Sequence, residues 1–134
     1  MTTVPVTLVS AVAAVLLNFW LGWRIAAFRE EYKVSVGDGG QEPLLRRMRA
    51  QSNFIENAPF VLILIGALEL SGGNRWALGG IMAVFVAARI AHALGMDGGE
   101  RQRWRMYGMM GTMITNLALV ILAVVCAAEL CLGR

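Results

Sequence analysis

The chain has 134 residues, of which 57% are hydrophobic and 16% charged, with a formal net charge of +3. Soluble domains carry about 25% charged and about 45–50% apolar residues, and a globule this small needs a polar shell that such a composition cannot supply. A water-soluble monomer, a disordered chain and a disulfide-stapled secreted miniprotein are excluded, which leaves a single integral membrane domain over residues 1–134.

A spanning helix needs about 20 mostly apolar residues. Residues 1–23 carry no charge, so a first helix is predicted over about 4–28. Nothing basic precedes Arg24, and the apolar run is longer than that of a signal peptide, so this segment is expected to be retained. The following loop holds Gly37-Asp38-Gly39-Gly40. With no Gly-Lys-Ser/Thr after it, this reads as a turn and not as a phosphate loop. A second helix is predicted over about 48–70, with Glu56 and Pro59 inside it. Ser-Gly-Gly-Asn-Arg at 71–75 is a short turn, which makes the third helix, about 76–96, an antiparallel neighbour of the second. Asp97-Gly98-Gly99 marks the next turn, and the uncharged run 106–128 predicts a fourth helix over about 105–130. The fold class is all-α, an up-down four-helix membrane bundle.

Lys and Arg collect on the cytoplasmic side of membrane proteins. The first and third loops and their flanks hold Arg29, Lys33, Arg46, Arg47, Arg49, Arg101, Arg103 and Arg105, against Arg75 and Arg134 on the other side. Both long loops are therefore expected in the cytoplasm and both termini outside. The net charge is a topology signal, and no nucleic-acid partner is expected. Cys126 and Cys131, five apart on a helix, face opposite ways and make no Cys-x-x-Cys pair. With one histidine and no further soft ligands, no metal site is expected.

Ionisable groups inside a membrane span are costly and mark functional sites. At about 100° per residue, Arg49, Asn53 and Glu56 share one face of the second helix, with Arg46 one turn nearer the cytoplasm. A guanidinium, an amide and a carboxylate in one stripe can hold a zwitterion. Arg49 and Glu56 can equally neutralise one another, and Gln51 points away, towards a neighbouring helix. Arg89 and His92 share a face of the third helix. Gly79, Ala83, Ala87, Ala91 and Gly95 form a small-residue stripe that admits a close helix neighbour. On the fourth helix Arg105 shares a face with Met109, Thr112 and Asn116. A cation at a helix start opposes the dipole unless an anion lies beside it.

The run Arg49-Ala50-Gln51-Ser52-Asn53-Phe54-Ile55-Glu56-Asn57-Ala58-Pro59 resembles the second-helix signature of the MAPEG superfamily, the membrane-associated proteins in eicosanoid and glutathione metabolism. That signature reads Arg-Ala-His/Gln-x-Asn-x-x-Glu, usually followed by Pro. Gln after Arg-Ala is the form seen in leukotriene C synthase, and His the commoner form of the microsomal glutathione transferases. Ala88-Arg89-Ile90-Ala91-His92 resembles the third-helix motif, and Arg105 the arginine opening the fourth helix. The small bacterial members are the most similar, which implies a bacterial inner membrane.

The resemblance implies a homotrimer that binds glutathione as co-substrate between subunits. Arg49, Asn53 and Glu56 would hold the tripeptide, with Glu56 taking its γ-glutamyl ammonium. Arg89 and His92 would line the same pocket, and Arg29 would close it from the neighbouring subunit. Arg105 would be the catalytic residue, stabilising the thiolate that attacks a lipophilic electrophile or hydroperoxide. Two features depart from the family: Met96 stands where tyrosine is frequent, and Arg103 competes with Arg105 for the thiol. The alternative function is a non-catalytic membrane protein of the same fold with little or no glutathione binding. A small multidrug exporter needs a carboxylate in its first helix, and residues 1–23 have none.

Overall fold

A computed structural model describes residues 3–133. Its elements are α1 (Pro5–Tyr32), α2 (Glu42–Leu70), α3 (Arg75–Gly95) and α4 (Gln102–Cys131), with a single 3-10 turn, Gly99–Arg101, ahead of α4. All four helices are long and apolar enough to cross a membrane. The chain is an integral membrane four-helix bundle.

Three helices extend beyond their expected ends, each through polar residues that read as loop. α1 runs on through Arg29, Glu30 and Glu31 to Tyr32, whose ring stacks on Phe28 at 4.2 Å between centroids. It stops where Lys33 turns left-handed at φ 56° and its N–H returns to Arg29 O. α2 starts six residues before the expected 48. Pro43 fits a first turn, where backbone N–H groups have no helical partner, and Arg46 Nε donates to Glu42 Oε1 at 2.9 Å one turn back. α4 starts at Gln102. α2 continues through Pro59 without a break.

Contacts at both ends of the bundle establish the up-down order. At one end Asp97, beyond α3, pairs with Arg24 of α1 and Arg47 of α2. At the other end the buried Glu69 carboxylate of α2 accepts from Val6 N at 3.0 Å, Thr7 N at 2.8 Å and Thr7 Oγ1 at 2.7 Å. It thereby satisfies backbone donors that the first turn of α1 leaves free. In the tight α2–α3 turn, Asn74 Oδ1 accepts from Trp76 N and Ala77 N at 2.9 and 3.1 Å, an N-cap for α3.

The core comprises Leu21, Phe54, Val61, Ile65, Leu78, Phe85 and Leu119. Leu8, Phe19, Ile63, Ile114 and Val124 stand outward instead. A chain that buries some apolar side chains and displays many more is solvated by lipid. The expected small-residue stripe is used only at its end. Ala83 and Ala87 are exposed, while Gly95 lies flush against the backbone of Arg105. α3 and α4 also approach closely at Gly108 and Gly111, which face Ala88 and His92.

Candidate functional site

Near the arginine-rich end, α2, α3 and α4 enclose a cleft of about 340 Å³. It is lined by Arg49, Ser52, Asn53, Glu56, His92, Met96, Arg105 and Met109. The four α2 residues, Arg49, Ser52, Asn53 and Glu56, come together because they lie at helical spacing on one face. His92 and Met96 reach the same wall because they are one turn apart on α3. Arg105, in the first turn of α4, joins them because Gly95 lets the two backbones touch. A smaller recess of about 210 Å³ continues past Arg49, Met96 and Arg105 to Arg46, Glu42 and Gln102. Arg103 lies outside the cleft, beside Glu100, Gln102 and Met106.

Among the described residues, Arg49, Glu56 and Arg105 form no ion pair within 4.0 Å. The neutralisation of Glu56 by Arg49 is therefore not how this chain resolves its charges. The two residues stand seven apart on α2, about 10 Å of helix rise. Glu56 is fourteen residues from either end of α2, about 21 Å from each. Its side chain is nonetheless exposed. An exposed carboxylate within a spanning helix is costly in hydrocarbon. The cleft therefore presents two free cations and one free anion to whatever fills or covers it.

Arg89 was expected on the cleft wall and stands behind it. Only 2% exposed, it donates to Asn53 Oδ1 and, at 3.3 Å, to Gly108 O, so it ties all three helices of the cleft together and orients the Asn53 amide. Arg29 does not reach this cleft. It donates to Ser35 O of the α1–α2 connection at 3.1 Å and to Met48 Sδ of α2 at 3.8 Å. Thr112 and Asn116, which share the Arg105 face of α4 by their spacing, are engaged elsewhere. Thr112 Oγ1 donates to Gly108 O at 2.9 Å and Asn116 Nδ2 to Asn57 Oδ1 at 3.0 Å. Gln51 points to α1, as its spacing implies, and donates to Asn18 Oδ1 at 3.1 Å.

Sequence reasoning missed Ser52 as a lining group; Met109 was placed on the Arg105 face by its spacing, and Met96 was noted as standing where tyrosine is frequent. It also missed the Asn57–Asn116 bond and the Arg24–Asp97–Arg47 network. The available signal was Gly108 with Gly111, three apart, which marks the side of α4 that a neighbouring backbone approaches.

Comparison with known proteins finds the MAPEG family matching residues 7–125. The chain is 30% identical over 111 residues to inner membrane protein YecN of Escherichia coli K12. The match covers 83% of this chain and 84% of that protein. The same-named protein of E. coli O6:H1 matches to the same extent.

Proposed function

The chain belongs to the MAPEG family, and from that premise we propose that its cleft binds glutathione and activates the thiol against lipophilic electrophiles. The observation that carries this reading is the set of unpaired charges, Arg49, Glu56 and Arg105, around one cleft with the Asn53 amide between them. Glutathione offers complementary groups: an ammonium for Glu56, carboxylates for Arg49, and a thiol for the remaining guanidinium. Arg105 cannot serve as a base, because an arginine side chain does not give up its proton in a protein. Its role is electrostatic, favouring thiolate over thiol. The thiolate sulfur then bonds to an electrophilic carbon, whose leaving group departs with the electron pair. With a hydroperoxide, the sulfur bonds to the terminal oxygen as the O–O bond breaks, and the alkoxide leaves and takes a proton to become the alcohol. A second glutathione then converts the resulting sulfenic acid to disulfide and water. The electrophile is apolar because the approach not lined by charge is the bilayer.

The protein acts as a homotrimer in a bacterial inner membrane, the location that the name of its E. coli relatives gives for those proteins. A neighbouring copy supplies Arg29 and covers the exposed Glu56. The test is conjugation of a chlorodinitrobenzene-type electrophile in proteoliposomes. Arg105→Ala is expected to lower turnover at least about tenfold with glutathione affinity largely kept, since the lost contact forms chiefly with the ionised sulfur. Arg103→Ala stays near wild type. Full activity in both variants contradicts the mechanism, loss in Arg103→Ala alone assigns the thiol to the other arginine, and a wild-type protein that conjugates nothing favours the non-catalytic alternative.

A further inference from the structure

Asp97 stands one residue past the C-cap of α3, and its carboxylate is divided between two other helices. Oδ2 accepts from Arg24 of α1, and Oδ1 accepts from Arg47 Nε of α2 at 3.2 Å. The two arginines extend the contact. Arg24 Nη1 donates to Ala93 O at 3.3 Å, and Arg47 Nη1 donates to Arg24 O at 3.1 Å. Their guanidiniums also rest on aromatic faces, Arg24 over Trp20 at 4.9 Å and Arg47 over Phe28 at 5.2 Å. Arg24 is only 8% exposed, and Asp97 is its acidic partner. Such a partner offsets part of the cost of burying a guanidinium.

This network borders the cleft. Met96, the residue before Asp97, lines it. Gly95 is pressed so closely on α4 that a Cβ there would lie 2.1 Å from Arg105 N. On the far side of Asp97, a Cβ at Gly98 would lie 2.9 Å from Arg46 Nη1. The turn is thus held by one carboxylate against α1 and α2, and the first turn of α4 is held by the turn.

We propose that Asp97 is a positioning residue: by pinning the α3–α4 turn to Arg24 and Arg47, it keeps Arg105 on the cleft wall opposite Arg49 and Glu56. The activity readout rests on the glutathione reading; the geometry does not. Asp97→Asn keeps the side-chain shape and removes the charge. Glu69→Gln removes the carboxylate of the clamp at the opposite end and is the control. Two measurements separate the claims. Amide hydrogen exchange without ligand should become about tenfold faster over residues 105–108 in Asp97→Asn and stay unchanged there in Glu69→Gln. The ultraviolet pH titration of bound glutathione thiol should shift up by about one unit, a tenfold change in proton affinity, in Asp97→Asn alone. Arg47→Gln, which removes one arm only, is the milder variant if Asp97→Asn does not fold, and should speed exchange over the same residues. Unchanged exchange in the folded variants, or an equal change in Glu69→Gln, overturns the proposal. Faster exchange in a protein that binds no glutathione supports the positioning and overturns the glutathione reading.

Discussion

Asn53 does two things at once. Its amide lines the cleft, while its Oδ1 accepts from Arg89, which among the described residues has only Asn53 and Gly108 O as acceptors and leaves its Nε without a partner. A buried cation stripped of an acceptor retains its desolvation cost, and the loss exceeds that for a neutral pair. Asn53→Leu is therefore expected to destabilise the folded protein by about 3 kcal/mol, read as a lowered midpoint of denaturation in detergent. Asn53→Asp keeps the acceptor and should stay within about 1 kcal/mol of wild type. Equal stability of the two variants would show that Arg89 does not depend on this bond. The shared face of Arg49, Asn53 and Glu56 was legible in the sequence, because helical spacing dictates which side chains point the same way. The burial of Arg89 was not, because spacing gives a direction and says nothing of how close the next helix comes. The pairing of Asp97 with Arg24 and Arg47 was hidden for a related reason: charges near loops look alike until the helices are packed.

At the scale of the helix, the same limit decided where α3 meets its neighbour. A stripe of small residues permits close approach and does not compel it. The stripe from Gly79 to Gly95 is left open along Ala83 and Ala87, and α4 packs where its own glycines meet Ala88 and His92. A Cβ at Gly108 would lie 2.4 Å from Ala88 O and from His92 N, whereas at Gly79 nothing lies within 4 Å. Gly108→Ala forces the helices apart, and overpacking of this kind costs about 1–3 kcal/mol. Gly79→Ala gains helix propensity, up to about 1 kcal/mol. Thermal unfolding in detergent should place the two variants on opposite sides of wild type, and a Gly108→Ala protein as stable as wild type would refute the close contact. The four helices themselves were readable from uncharged runs; their polar first and last turns were not, since Glu42-Pro43 at one start and Arg29-Glu30-Glu31 at one end carry no apolar signal.

The molecule as a whole has an inverted surface, apolar outside and with the free arginines Arg49 and Arg105 gathered near one end. Lipid accounts for the apolar surface. It does not account for Glu56, exposed at the middle of α2, and the proposed resolution is a bound ammonium and a neighbouring chain. Both are tested at once by native mass spectrometry of the reconstituted protein titrated with glutathione. The account predicts a three-chain particle that takes up one glutathione per chain. In Glu56→Gln the affinity should fall at least about 30-fold, the low end of the roughly 2–5 kcal/mol lost when one partner of a buried charge pair is truncated. A particle that takes up no glutathione, or that binds it equally well with and without the Glu56 carboxylate, would contradict it.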